Sequence, residues 1–171
     1  NEVTRRAKDT VARGILVQIR AAIDAGGPFD TAIREFDEQV GEALPNQLRS
    51  LAEEGVQTYQ ELRDSFAEVA RSALNAARDE LNESEGFMGI GNYLRKQFQA
   101  RSVTPKMGND ADAVLSRAEQ ELRENDLAGA LNELDTLPEA ARDQMQPWID
   151  QARERQDALE QLDILSREIG N

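Results

Sequence analysis

The chain has 171 residues and a formal net charge of −13, enough length for one domain or slightly more. Cys and His are both absent, which excludes thiol nucleophiles, disulfides, zinc-finger ligand sets, imidazole bases and any Ser-His-Asp triad. No run reaches the roughly 18 apolar residues of a membrane span, and a chain this acidic meets a polyanion only through a local basic patch.

Helical spacing recurs from end to end, while alternating β-branched runs are missing, so the expected fold is all-α: a multi-helix bundle of about seven to nine helices. The first helix spans about Val3 to Ala25, with Val11, Ile15, Ile19, Ala22 and Ile23 on one face, and Gly26-Gly27 stop it. Pro28 opens a second helix carrying Phe29, Ile33, Phe36 and Val40, ending near Gly41. Pro45 starts a short third piece with Leu48 and Leu51, closed by Gly55. Thr58 and Glu61 form a capping box before the strongest amphipathic pattern, which runs from Tyr59 through Leu62, Phe66, Val69, Ala73 and Ala77 to Leu81. Asn82 to Gly86 is expected to break it.

Residues 86–108 differ in composition. They hold Arg95, Lys96, Arg101 and Lys106 and no Asp or Glu, inside a chain with 33 acids. On a helical wheel Phe87, Ile90, Leu94 and Phe98 form one stripe with Tyr93 at its edge, followed by a loop over Ser102 to Asn109. Two readings are open. In one, the stripe packs inward and the cations face water. In the other, the stripe enters the acyl boundary of an anionic phospholipid membrane while the cations meet headgroups. Four basic residues contribute about 4 kcal/mol there, and each buried Phe or Leu about 1.5–3 kcal/mol, which is enough for reversible binding. The complete exclusion of acids favours the membrane reading. Four charges without a further basic groove are too few for nucleic acid.

From Asp110 the pattern returns. Val114, Leu115, Ala118 and Leu122 mark one helix, Asn125-Asp126 turns the chain, and Leu127, Ala130, Leu131, Leu134 and Leu137 mark its partner. Residues 110–137 thus read as a tetratricopeptide-like hairpin, a single unit where a solenoid needs about three. Pro138 is expected to begin a short helix and Pro147 the last one, with Trp148, Ala152, Leu159, Leu162, Leu165 and Ile169. This helix is charged, with Arg153, Glu154, Arg155, Asp157 and Glu160; its apolar spacing is not a clean 3.5-residue repeat, so it reads as a packing helix, with a contact to another chain as the alternative.

No motif carries chemistry. The run Gly86-Phe-Met-Gly89-Ile-Gly91 reverses the dinucleotide fingerprint and follows a helix, and no GK[ST] occurs. The acid pairs Glu53-Glu54, Asp79-Glu80, Asp110 with Asp112, and Glu119 with Glu121 sit among other charges, where a general acid needs an apolar pocket. Asp110 and Asp112 lack the remaining EF-hand positions. No catalytic residue, cofactor or metal site is expected.

The order of these pieces resembles the C-terminal domain of the mitofilin family, in its alphaproteobacterial form. The matching words are Ile23-Asp24-Ala25-Gly26-Gly27-Pro28-Phe29, then Gly55-Val56-Gln57-Thr58 with Glu61-Leu62 and Phe66, and Val69-Ala70 to Ala77. After Tyr93-Leu94 to Val103 come Ala118-Glu119, Asn125-Asp126-Leu127-Ala128-Gly129-Ala130-Leu131, Glu133-Leu134, and Trp148-Ile149 with Ala152-Arg153. The resemblance implies a single non-catalytic domain over residues 1–171 that shapes inner or intracytoplasmic membranes. It further implies homo-oligomers, contact with outer-membrane assembly proteins, and a place on the periplasmic side of a bacterial inner membrane. An N-terminal span and coiled coil are expected upstream of Asn1. Lipid contact is carried onto Phe87, Ile90, Tyr93, Leu94, Arg95, Lys96, Phe98 and Arg101. The helical outline is similar also to HemX-like anchored periplasmic proteins, which implies a protein-interaction scaffold without lipid binding.

Overall fold

The computed structural model describes residues 2–41, 44–85, 108 and 110–169. These are all-helical. Seven helices follow in order: α1 (Glu2–Ala25), α2 (Asp30–Val40), α3 (Asn46–Leu51), α4 (Tyr59–Glu85), α5 (Ala111–Arg123), α6 (Leu127–Leu134) and α7 (Glu139–Glu168). The chain forms two compact units, one of Asn1–Leu62 with Gln151–Asn171, the other of Arg63–Asp150.

In the first unit the core gathers Ile15, Leu16, Ile19 and Ile23 of α1, Phe29, Ile33, Phe36 and Val40 around α2, Leu48 of α3, and Ala158 and Leu162 of α7. Of the stripe expected on α1, Ile15, Ile19 and Ile23 are buried and Ala22 partly so. Ala12 and Leu16 are buried, while Val11 lies at the margin and Val17 is 67% exposed. Three helix ends fold as their glycines dictate. Gly27 N–H reaches back to the Ala22 carbonyl at 2.9 Å behind Gly26 at φ +70°, the six-to-one bond of a Schellman ending. Gly41, at φ +72°, donates to the Asp37 carbonyl and ends α2. The third, Gly55 at φ +77°, donates to the Leu51 carbonyl at 2.8 Å.

Gly55 also has a reason beyond its backbone angle. A Cβ there would stand 2.6 Å from the Gly27 carbonyl oxygen, so two turns of backbone pass at a distance only glycine permits. Phe29 and Asp30 N–H both donate to the Ala52 carbonyl, which fixes the crossing. Beside it, Thr58 and Glu61 make the expected capping box. The Glu61 carboxylate accepts from Thr58 N–H and Oγ1, both at 2.8 Å, and Thr58 Oγ1 accepts from Glu61 N–H at 3.1 Å.

In the second unit α5 and α6 form the expected hairpin. Asp110 caps α5 by accepting from Ala113 N–H at 3.0 Å, and Asp126 caps α6 by accepting from Gly129 N–H at 2.7 Å. Asn125 takes the left-handed turn at φ 62°, a conformation Asn tolerates better than most side chains. All of Val114, Leu115, Ala118, Leu122, Leu127, Ala130, Leu131, Leu134 and Leu137 are buried. Across the hairpin the half-buried Arg117 Nε donates to Glu133 Oε2 at 2.7 Å.

The structure corrects two expectations. α4 continues to Glu85, past the break expected at Asn82, and Leu81 on it is 50% exposed. Pro147 opens no helix but lies inside α7, which runs unbroken from Glu139. A proline in a helix interior costs about 3 kcal/mol. Burial on both sides of it offsets that cost, since Ala141 and Met145 before it and Trp148 and Ile149 after it are all buried in the second unit. Arg155, one of the charges of the last helix, is buried.

Candidate functional site

Two places concentrate polar groups against apolar ones. The first is built around Arg155, only 6% exposed. Its position is periodic with Ala152, Ala158 and Leu162, so the helix carries it into the first unit's core with them. Its Nη1 donates to the Ile23 carbonyl at 2.8 Å and to the Gln57 carbonyl at 3.4 Å, and its Nη2 donates to Asp24 Oδ1 at 2.7 Å. The guanidinium thus satisfies carbonyls at the end of α1 and in the turn before α4. Elsewhere in this unit Arg49 grips Asp37 with a two-pronged bond of 2.7 and 2.6 Å. That hydrogen bond holds the Asp37 carboxyl below its ordinary range. Glu61 is lowered likewise, first by the Thr58 backbone N–H and then by its hydroxyl. These are structural arrangements. Each acid is locked ionised, the opposite of what a general acid requires.

The second place is a furrow between α4 and α5 in the other unit. Its volume is about 230 Å³, and its apolar lining is Phe66, Ala67, Ala70, Leu74 and Leu115, with Arg71, Asp112, Ser116 and Glu119 at the lips. The small side chains Ala67 and Ala70 leave the space open. A smaller hollow of about 130 Å³ continues it past Ala67 and Glu119 to Arg63, Asp64, Leu122 and Arg123. Phe66 is anchored beneath, its ring edge-on to Trp148 with centroids 5.1 Å apart. The lips carry both signs, and Glu119 is paired with Arg123 at 2.7 Å. Such a surface offers shape and apolar contact rather than acid–base chemistry. Among the described residues no group of His, Cys, Asp and Glu is placed to hold a metal ion.

Of the residues expected to touch lipid, Phe87, Ile90, Tyr93, Leu94, Arg95, Lys96, Phe98 and Arg101 all lie outside the described residues, as do the Gly86–Gly91 run and Lys106. Of the expected acid pairs, Asp112, Glu119 and Glu121 are half-buried. Glu53, Glu54, Asp79 and Glu80 are exposed, and Asp110 serves as a helix cap. Sequence reasoning missed both the Arg155 node and the furrow. The signal for the first was available, since Arg155 falls in step with the buried stripe of α7. The second had none, because it arises between two helices distant in sequence.

Some of the words that carried the family resemblance fall in these two places. Ile23, Asp24 and Gln57 meet Arg155, Gly55 lies against the Gly26-Gly27 backbone, and Phe66 and Ala70 line the furrow with Trp148 edge-on to Phe66. A family model, Mitofilin, described as a mitochondrial inner membrane protein, matches residues 35–169. The chain belongs to the mitofilin family. The match takes in everything from within α2 to the end of α7 and leaves α1 outside it. No curated protein and no solved structure matches the chain. Membership ties this mitofilin chain to a family of inner-membrane proteins, although no described helix is long and apolar enough to cross a bilayer.

Proposed function

We propose that this mitofilin chain is a non-catalytic membrane-organising domain that acts by touching a bilayer while holding other protein copies or partners. The observation that carries the reading is the acid-free segment 86–108 within a chain of charge −13. Phe87, Ile90, Leu94 and Phe98, with Tyr93, supply apolar contact, and Arg95, Lys96 and Arg101 supply attraction to anionic headgroups. The parent protein, in this reading, is of the alphaproteobacterial type, is anchored by an upstream span, and works on the periplasmic side of the inner membrane. Homo-oligomers and outer-membrane assembly proteins are the partners it is proposed to hold.

Flotation with vesicles rich in anionic phospholipid tests the lipid contact. The chain is expected to float with them and to stay behind with neutral vesicles. The double variant Phe98→Asp, Lys96→Glu is expected to lose most of its recovery while keeping the wild-type helical circular dichroism. Equal recovery of both proteins ends the lipid reading.

The α4–α5 furrow favours a second reading, a tetratricopeptide-like scaffold of HemX-like kind that works through protein contact alone. A photo-crosslinker at Ser116, placed in the full-length protein in cells, reads contact at its lip. On this reading a protein adduct forms and disappears with Ala67→Arg, which fills the furrow from an exposed position, while vesicle flotation is absent. Flotation together with no adduct at Ser116 removes it.

A further inference from the structure

We draw no further inference here: the strongest candidate, the furrow between α4 and α5 lined by Phe66, Ala70, Leu74 and Leu115, belongs to the surface already described, and nothing in the structure shows what covers it.

Discussion

Replacing Arg155 by Met keeps the length and greasiness of the side chain and removes its donors. Two carbonyls, those of Ile23 and Gln57, then lose a partner, and Asp24 loses its cation. The three losses are unequal. The Ile23 contact is buried and short at 2.8 Å; its carbonyl keeps the Gly26 N–H at 3.2 Å, so what is lost is a hydrogen bond from a charged donor, about 1.5–3 kcal/mol. The Gln57 contact, at 3.4 Å, is long and contributes about 0.5 kcal/mol at most. Asp24 is 56% exposed, so water takes over its solvation and the ion pair counts for about 0–1 kcal/mol. The sum is about 2–4 kcal/mol. At roughly 2–4 °C per kcal/mol for a chain of this size, the melting midpoint should fall by about 5–15 °C. Asp24→Asn, which keeps the two carbonyl bonds, should cost about 1 kcal/mol or less. Urea titrations followed by circular dichroism at 222 nm measure both variants. If Arg155→Met matches wild type, or if Asp24→Asn costs as much as Arg155→Met, the carbonyls are not what the arginine serves, and the argument from burial fails.

Acid titration should separate the lowered carboxyls from the rest. Asp37 and Glu61 have folded pKa values below their unfolded ones, so their stabilisation is complete above about pH 4–5 and is lost as pH falls through the lowered folded values. Urea midpoints of Asp37→Asn and Glu61→Gln, taken between pH 6 and pH 2.5, should therefore lie below wild type at the upper end and converge on it at the lower end; a constant offset contradicts the assignment. The glycines give a second contrast. Gly55→Ala forces a methyl to within 2.6 Å of the Gly27 carbonyl, whereas Gly41→Ala, at nearly the same φ, meets only open space. Gly41→Ala should cost about 1–2 kcal/mol from backbone strain alone. Gly55→Ala should cost at least about 2 kcal/mol more, and equal thermal midpoints for the pair would show that the two turns can separate freely.

How much of this was readable beforehand depends on the range of the interaction concerned. The capping box at Thr58 and Glu61, the stop at Gly26-Gly27 and the turn at Asn125-Asp126 are settled within a few residues, and each stands where the letters put it. The hairpin's apolar positions came through intact because 3.6-residue periodicity is itself local. The errors fall where a neighbour far along the chain decides. Pro147 reads as a helix start until the core on both sides of it is known. Arg155 reads only as one charge among several on the last helix until α1 and the turn at Gln57 present their carbonyls to it. Leu81 fits the α4 stripe by spacing alone, yet ends 50% exposed. The proposed lipid-contact residues remain a matter of composition, since they lie outside the described residues.

The amino-acid order alone therefore determined an all-helical protein without thiol or imidazole chemistry, most of its helix ends, and the gathering of positive charge in one acid-free stretch of an acidic chain. Tertiary structure alone decided that a charged side chain becomes an internal fastener for α1 and α7, and that two alanines on α4 open a furrow against α5. The division has one cause. Periodicity and capping are fixed by chain stereochemistry within a turn or two, whereas burial and shape depend on which distant surfaces the folded chain brings together.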